Sequence, residues 1–241
     1  MTLFIGTSGW AYKEWKPEFY PAEITQSRFL EHYVTQLTAC EINATFYRLQ
    51  SESTFARWHA AAPDAFRFSI KAHRRITHSR SMVPDEDARN FIAVFLKSLE
   101  PLGSKVGTIL LQYPPRRTRD DGALSALLDV LPAERRFAFE FRHDSWAAPE
   151  VESLIAESGA TLCVADTTAA VPDGLPPGRH AYVRLRAERY TDEQRQGWLE
   201  LLQRESRERD VFVFSKHEGI PAGDEYGGVG LAQWLRERLT T

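Results

Sequence analysis

Two kinds of hydrophobic pattern take turns along the chain. Short runs rich in apolar and β-branched residues occur at Leu3–Ser8, Ala39–Ala44, Phe66–Lys71, Val106–Gln112, Arg136–Phe141, Thr161–Asp166, Ala181–Arg186 and Val211–Ser215. Each predicts a β-strand. Between most of them, apolar residues return at helical spacing. Phe29, Leu30, Tyr33, Val34 and Leu37 follow a cap at Thr25, and Phe91, Ile92, Phe95, Leu96 and Leu99 follow Asp85 or Asp87. Leu124, Leu127, Leu128 and Leu131 form a third stripe, and Val151, Leu154 and Ile155 a fourth that stops at Ser158-Gly159. Trp198, Leu201 and Leu202 follow Tyr190, and Val229, Leu231, Leu235 and Leu239 form the last stripe. Strand–helix alternation makes a parallel sheet, and eight such units predict a closed (β/α)8, TIM-like barrel occupying residues 1–241 as one domain. Two segments break the rhythm. The Pro- and Gly-rich stretch between Asp166 and His180 predicts an irregular sixth crossover, and Gly9–Thr25, with Pro17 and Pro21, predicts a long first βα loop.

Within the strands, polar residues recur at every second position, which puts them on one face. Glu41 and Asn43 share a face, as do Ser69 and Lys71, Glu140 and Arg142, and Arg184 and Arg186, each opposite apolar neighbours. The apolar face must meet the helices, so the polar set points into the barrel. Barrel interiors are normally filled by branched apolar side chains, and unpaired charge there costs several kcal/mol. So much inward charge predicts either a water-accessible ligand site at the upper end or a buried network in which Glu41, Glu140 and Asp166 neutralise Lys71, Arg142, Arg184 and Arg186. Lys216 at the end of the eighth strand leaves the cations in surplus, which favours an anionic ligand bearing phosphate or carboxylate.

Composition narrows this picture. A chain of 241 residues with 43% hydrophobic and 26% charged residues has globular proportions. A formal net charge of −3 argues against broad binding to duplex nucleic acid while leaving room for a local basic cleft. Cys40 and Cys163 have neither metal-ligand nor redox spacing and read as small buried residues. The N-terminus lacks signal-peptide character and no apolar run reaches the ~20 residues of a membrane span, so the expectation is a cytoplasmic protein without membrane contact.

Several ordered motifs carry a family resemblance. Ile5-Gly6-Thr7-Ser8-Gly9-Trp10 is followed by Trp15 and Phe19-Tyr20-Pro21, then by Glu41-Ile42-Asn43-Ala44-Thr45-Phe46-Tyr47. Lys71-Ala72, Ile76-Thr77-His78, Leu111-Gln112-Tyr113-Pro114-Pro115, Glu140-Phe141-Arg142-His143-Asp144-Ser145-Trp146, Asp166 and Tyr182-Val183-Arg184 complete the set. Together they resemble the YecE-like family, also called domain of unknown function 72. The resemblance implies a TIM barrel and brings no activity with it. The chain departs from the family in two places: Arg184-Leu185-Arg186-Ala187 stands where relatives carry Arg-x-His-Gly, and Phe214-Ser215-Lys216 replaces aromatic-Asn-Asn.

Active sites of such barrels lie at the C-terminal strand ends. There, Glu41 and Glu140 are candidates for a general acid–base pair with raised pKa values, Glu140 being the weaker half because the nearby Arg142 guanidinium would hold it ionised, and His78 is a candidate proton shuttle. His73 and His143 are weaker versions of the same idea. Trp10, Asn43, Tyr47, Lys71, Gln112, Arg142, Asp166, Arg184, Arg186 and Lys216 are candidate substrate contacts. Tyr12, Trp15, Phe46, Tyr113 and Trp146 also fall just past strand ends, either stacking on a ligand or packing the loops on themselves. Gly227 and Gly228, with Gly230, open the last helix and are candidates for a phosphate cradle. Glu41, His73, Glu140, His143, Asp166, His217 and Glu218 have ligand chemistry for a metal, but the shared cations oppose one, and neither metal nor cofactor is expected. The favoured function is an enzyme acting on a small anionic molecule by general acid–base catalysis. The alternative is a nucleic-acid-directed protein, a phosphodiester hydrolase or a binder of unpaired bases, with Arg74, Arg75, Arg80, Arg116, Arg117 and Arg119 as its rim. The sequence leaves oligomeric state open.

Overall fold

A computed structural model describes residues 2–216 and 218–239. Eight parallel strands lie in the order β1-β8-β7-β6-β5-β4-β3-β2. They are β1 (Leu3–Thr7), β2 (Ala39–Ile42), β3 (Arg67–Lys71), β4 (Val106–Tyr113), β5 (Arg136–Phe141), β6 (Thr161–Asp166), β7 (His180–Leu185) and β8 (Asp210–Ser215). The helices are α1 (Phe29–Gln36), α2 (Glu52–Ala61), α3 (Arg74–Thr77), α4 (Glu86–Ser98), α5 (Asp121–Leu128), α6 (Pro149–Glu157), α7 (Asp192–Glu205) and α8 (Gly228–Leu239). The alternation is that of a (β/α)8 barrel, and the crossover from β6 to β7 carries no helix. None of these helices is long and apolar enough to cross a membrane among the described residues.

Local chemistry sets the helix starts. Asp85 accepts from the amide of Ala88, Asp120 from Ala123, and Ser51 from Thr54, each satisfying an otherwise orphaned donor. Thr191 and Gln194 form a reciprocal capping box on α7. At the other end of α6, Gly159 takes a left-handed conformation (φ 82°) as the chain turns into β6. Thr25 precedes a short 3-10 turn leading into α1 but its side chain caps nothing. The pattern reading has no stripe for α2, whose buried face is reduced to Phe55.

The barrel closes at the seam between β1 and β2, where the ladder is reduced to the parallel bridge Ser8↔Glu41. Side chains take over there. The Thr38 hydroxyl accepts from the amide of Ile5 at 2.8 Å, and the Tyr33 hydroxyl donates to the Ala39 carbonyl at 3.0 Å while accepting from the Thr7 amide at 2.8 Å. Gly6 allows the approach, because a Cβ there would lie 1.9 Å from the Ala39 carbonyl oxygen.

Strand parity sorts the interior into layers. Phe4, Ala39, Leu110, Ala138, Tyr182, Phe212 and Phe214 form an apolar cluster inside the barrel, separate from the larger core beneath the helices. Two residues further along the same strands come Glu41, Gln112, Glu140 and Arg184, all buried. The polar layer therefore rests on a dry apolar floor and faces the loops above.

Candidate active site at the C-terminal strand ends

Arg184, on β7, occupies the centre of the polar layer. Its Nη1 donates to Glu140 Oε2 at 2.6 Å and its Nη2 to Glu41 Oε1 at 2.9 Å, joining β5 and β2 through the barrel interior. Glu41 has no exposed side-chain surface and also accepts from the Ser8 hydroxyl (2.7 Å), Arg186 Nη2 (3.1 Å) and the Tyr182 hydroxyl (2.9 Å). Glu140 accepts from Gln112 Nε2 at 2.7 Å and Arg142 Nε at 3.1 Å. Both carboxylates are thus held by charge-assisted bonds.

That pairing reverses the expected acid–base tuning of Glu41 and sets Glu140 where its arginine neighbour pointed. Burial alone would raise both pKa values. For Glu41 the guanidinium groups of Arg184 and Arg186 outweigh burial and hold the carboxyl well below the usual range. For Glu140, Arg184, Gln112 and Arg142 together lower it as well. Two permanently ionised carboxylates are poor proton donors near neutral pH, so their role here is to anchor the arginines.

Lys71 is tuned the other way. Its ammonium, half-buried at the end of β3, lies over the Phe46 ring at 4.5 Å from the centroid. Burial and the facing Arg184 bring its pKa down to about 8, against the opposing pull of Glu41 and Glu140. No carboxylate lies within ion-pair distance of this amine among the described residues.

Above the layer opens a cavity of about 1040 Å³, lined by Asn43, Tyr47, Lys71, Gln112, Glu140, Arg142, Arg184, Arg186 and Lys216 from the candidate set. Ser8, Tyr12, Pro115, Phe141, Asp144, Cys163, Ala165, Thr167 and Glu218 complete the wall. The Arg142 side chain is 51% exposed, and the Oδ1 of Asn43 is buried without a protein partner. Glu41 lies beneath this surface, bonded to the wall residues Ser8, Asn43, Arg184 and Arg186. Ser8 and Tyr182 stand in the sequence within the family motifs and not among the site candidates, although β1 parity (Phe4, Gly6, Ser8) and the spacing Tyr182–Arg184 carry the signal. Cys163, expected among buried residues, belongs to the wall because Cys163 and Ala165 take the inward parity of β6.

Several expected residues go elsewhere. Trp10 packs edge-on against Trp58 of α2 (5.0 Å between centroids) and against Phe68, so the indole belongs to the outer core. Asp166 has the outward parity of β6 and accepts from the Tyr190 hydroxyl at 2.7 Å and the Thr168 amide at 3.0 Å, which ties down the irregular sixth crossover. Gly227 and Gly228 are buried behind Ile220, and a Cβ on Gly227 would lie 2.6 Å from Ile220 Cδ1, so their smallness serves packing. The aromatic residues Trp15, Tyr113 and Trp146 are buried, with Trp146 stacked on Phe141 at 4.0 Å, leaving Tyr47 as the exposed ring of the rim. His217 lies outside the described residues.

His78 lines a neighbouring groove of about 990 Å³ together with His73, Arg74, Arg75, Arg80, Arg116 and Arg117. Its ring meets Phe46 edge-on at 4.9 Å, the same ring that Lys71 overlies. Burial and the surrounding cations, Arg116 first, lower its pKa. Arg117 is structural: it donates to the carbonyls of Ser79 and Arg80 and pins that loop. His143 instead caps a short 3-10 turn through the Ser145 amide. No three His, Cys, Asp or Glu side chains gather as a metal-holding group among the described residues.

Comparison with known proteins extends the architecture beyond this chain. The model of the family described as "Protein of unknown function DUF72" matches residues 4–239. The UPF0759 protein YecE of Escherichia coli is 29% identical over 158 residues, 65% of this chain and 54% of that protein. YunF of Bacillus subtilis, also a UPF0759 protein, is 26% identical over 152 residues, 61% of this chain and 53% of that protein. The chain spans about half the length of these curated relatives in the matched stretch. The crystal structure of a DUF72 family protein from Thermotoga maritima superposes with a TM-score of 0.77, covering 100% of both chains at 23% identity, a likeness of fold.

Proposed function

This chain belongs to the DUF72 family, matched over residues 4–239, and from that premise we propose that it is an enzyme binding a small carboxylate- or phosphate-bearing molecule at the C-terminal ends of its barrel strands. The carrying observation is the division of labour among its charges. Glu41 and Glu140 are taken up by Arg184, with Arg186 and Arg142 as further partners, whereas Lys71 has no carboxylate partner among the described residues and, with Lys216, leaves the wall of the cavity above in positive surplus over Glu140, Asp144 and Glu218. A cavity with surplus cations favours an anion, and the planar fork of Arg142 suits a bidentate contact. Lys71, with a pKa near 8, is the group suited to proton transfer, in place of the two glutamates. The unpaired cysteines Cys40 and Cys163 support a reducing, cytoplasmic setting as part of the same reading.

A thermal-shift panel of organic acids, sugar phosphates and inorganic phosphate tests this. A ligand at a hundredfold excess over Kd adds about 2.7 kcal/mol to native-state stability. At least one anion is expected to raise the melting temperature, and Arg142→Ala is expected to abolish that gain without unfolding the protein. Stabilisation by every anion that survives in Arg142→Ala and in Lys216→Ala sinks the proposal. A nucleic-acid-directed reading draws support from one observation, the arginine-lined groove around His78 beside the cavity. Stabilisation by short single-stranded oligonucleotides, with none from small anions, selects that reading instead.

A further inference from the structure

We propose that the Lys71 amine forms an imine with the carbonyl carbon of an anionic aldehyde or ketone held in the strand-end cavity. The inference rests on the anion-pocket reading and deepens it by naming the reactive group of the substrate. An amine in a charged barrel is usually consumed by a carboxylate. Here both carboxylates of the layer are bound by Arg184, and Lys71 contacts an aromatic face instead. Because Glu41 and Glu140 are held ionised by their arginine partners, neither offers a proton to a substrate. Among Glu41, Glu140 and Lys71, the amine is the group left without an ion-pair partner in the described residues. Lys71 shares the cavity wall with Arg142, just past β5, and Arg186, just past β7, which suit the anionic end of a ligand whose carbonyl reaches the amine.

The reaction balances without a further reagent. The lone pair of the neutral amine forms a C–N bond to the carbonyl carbon, and the π pair moves to oxygen, which takes the proton lost by nitrogen. The nitrogen lone pair then forms the C=N bond, the C–O bond breaks, and the hydroxyl leaves as water with a proton from solvent. The product iminium carries the single positive charge that the ammonium held, and its place over Phe46 suits a cation equally well. The groups that face this amine act on its readiness. Burial, Arg184 and Arg142 disfavour its charged form, Glu41 and Glu140 favour it, and the balance is a pKa of about 8. At neutral pH that leaves on the order of a hundredfold more free amine than an ordinary lysine has.

The test is reductive trapping. The protein is incubated with pyruvate, with dihydroxyacetone phosphate, or with acetone as an uncharged ketone, then treated with sodium borohydride and mapped by peptide mass spectrometry. The chain has six lysines, so each reports separately. With an anionic ketone, Lys71 is expected to carry the reduced adduct at least about tenfold more than Lys13, Lys16 or Lys97, in keeping with its larger free-amine fraction; acetone, which the cations of the wall cannot hold, is expected to give a smaller preference. Lys71→Arg, which keeps the charge over Phe46, is expected to lose the adduct. Adducts spread over the lysines by exposure overturn the imine, as does an unmodified Lys71 in a protein that anions still stabilise. A protein neither stabilised nor trapped overturns the anion pocket, and the imine with it.

Discussion

Replacing Arg184 with methionine removes the cation that holds the two halves of the polar layer together while keeping most of its apolar stem. The guanidinium bridges Glu140 at 2.6 Å and Glu41 at 2.9 Å, and the three side chains are 6%, 5% and 0% exposed. Deleting one partner of a buried ion pair costs about 3–5 kcal/mol, because the charge left behind has lost its compensation. Glu41 keeps Ser8, Arg186 and Tyr182, and Glu140 keeps Gln112 and Arg142. The loss therefore falls at the lower end, about 3 kcal/mol, or about 6–12 °C in melting temperature for a chain of this length. The pH dependence gives the sharper signature. In the native protein both carboxyls are depressed, so their contribution is present above the unfolded value of about 4.3 and is lost as pH falls through the lower folded value. In Arg184→Met burial regains the upper hand, and Glu140 takes up a proton in mildly acidic solution, which relieves the uncompensated charge. Urea unfolding followed by tryptophan fluorescence should show a gap of about 3 kcal/mol at pH 7 that narrows by about 1 kcal/mol or more at pH 5. A variant as stable as the parent at pH 7, or a gap unchanged between the two pH values, refutes the account of a buried, arginine-compensated pair.

Two further outcomes test the frame around the site. Tyr33→Phe removes the hydroxyl that joins Thr7 to Ala39 across the seam, and should cost about 1–3 kcal/mol in urea unfolding because buried backbone groups lose their partner; a loss under about 0.5 kcal/mol means that the ladder closes without it. His180 is buried at the start of β7, and burial, followed by Arg136, Arg209 and Arg179, lowers its pKa to about 3. The unfolded chain binds a proton there below about pH 6.5 and the native chain does not, so native stability falls as pH drops through that range. His180→Leu should remove this component and gain up to about 2 kcal/mol on the parent between pH 6.5 and 5, whereas parallel pH profiles for the two proteins refute the buried neutral ring.

What the sequence determined by itself is what depends on neighbours along the chain. Strand periodicity, helix spacing and caps such as Asp85 are set within a few residues, so all eight strands, the helix-free sixth crossover and the inward parity of Asn43, Lys71, Glu140, Arg142, Arg184 and Arg186 were legible. The helix α2 was not, because one buried phenylalanine in a largely polar segment leaves no stripe to read. Only the tertiary structure decided who meets whom across the closed barrel. Arg184 reaches Glu41 over 143 positions of sequence and Glu140 over 44, and that meeting inverts the direction of both carboxyl pKa values. Trp10 lies past a strand end yet turns to Trp58, and Asp166 ends its strand on the outward parity, where Tyr190 claims it. Burial and pairing are sums over atoms distant in sequence and close in space. The same residue types at the same spacing give a proton donor or an anchored anion depending on whether a guanidinium arrives from the far wall, and chain closure fixes that arrival.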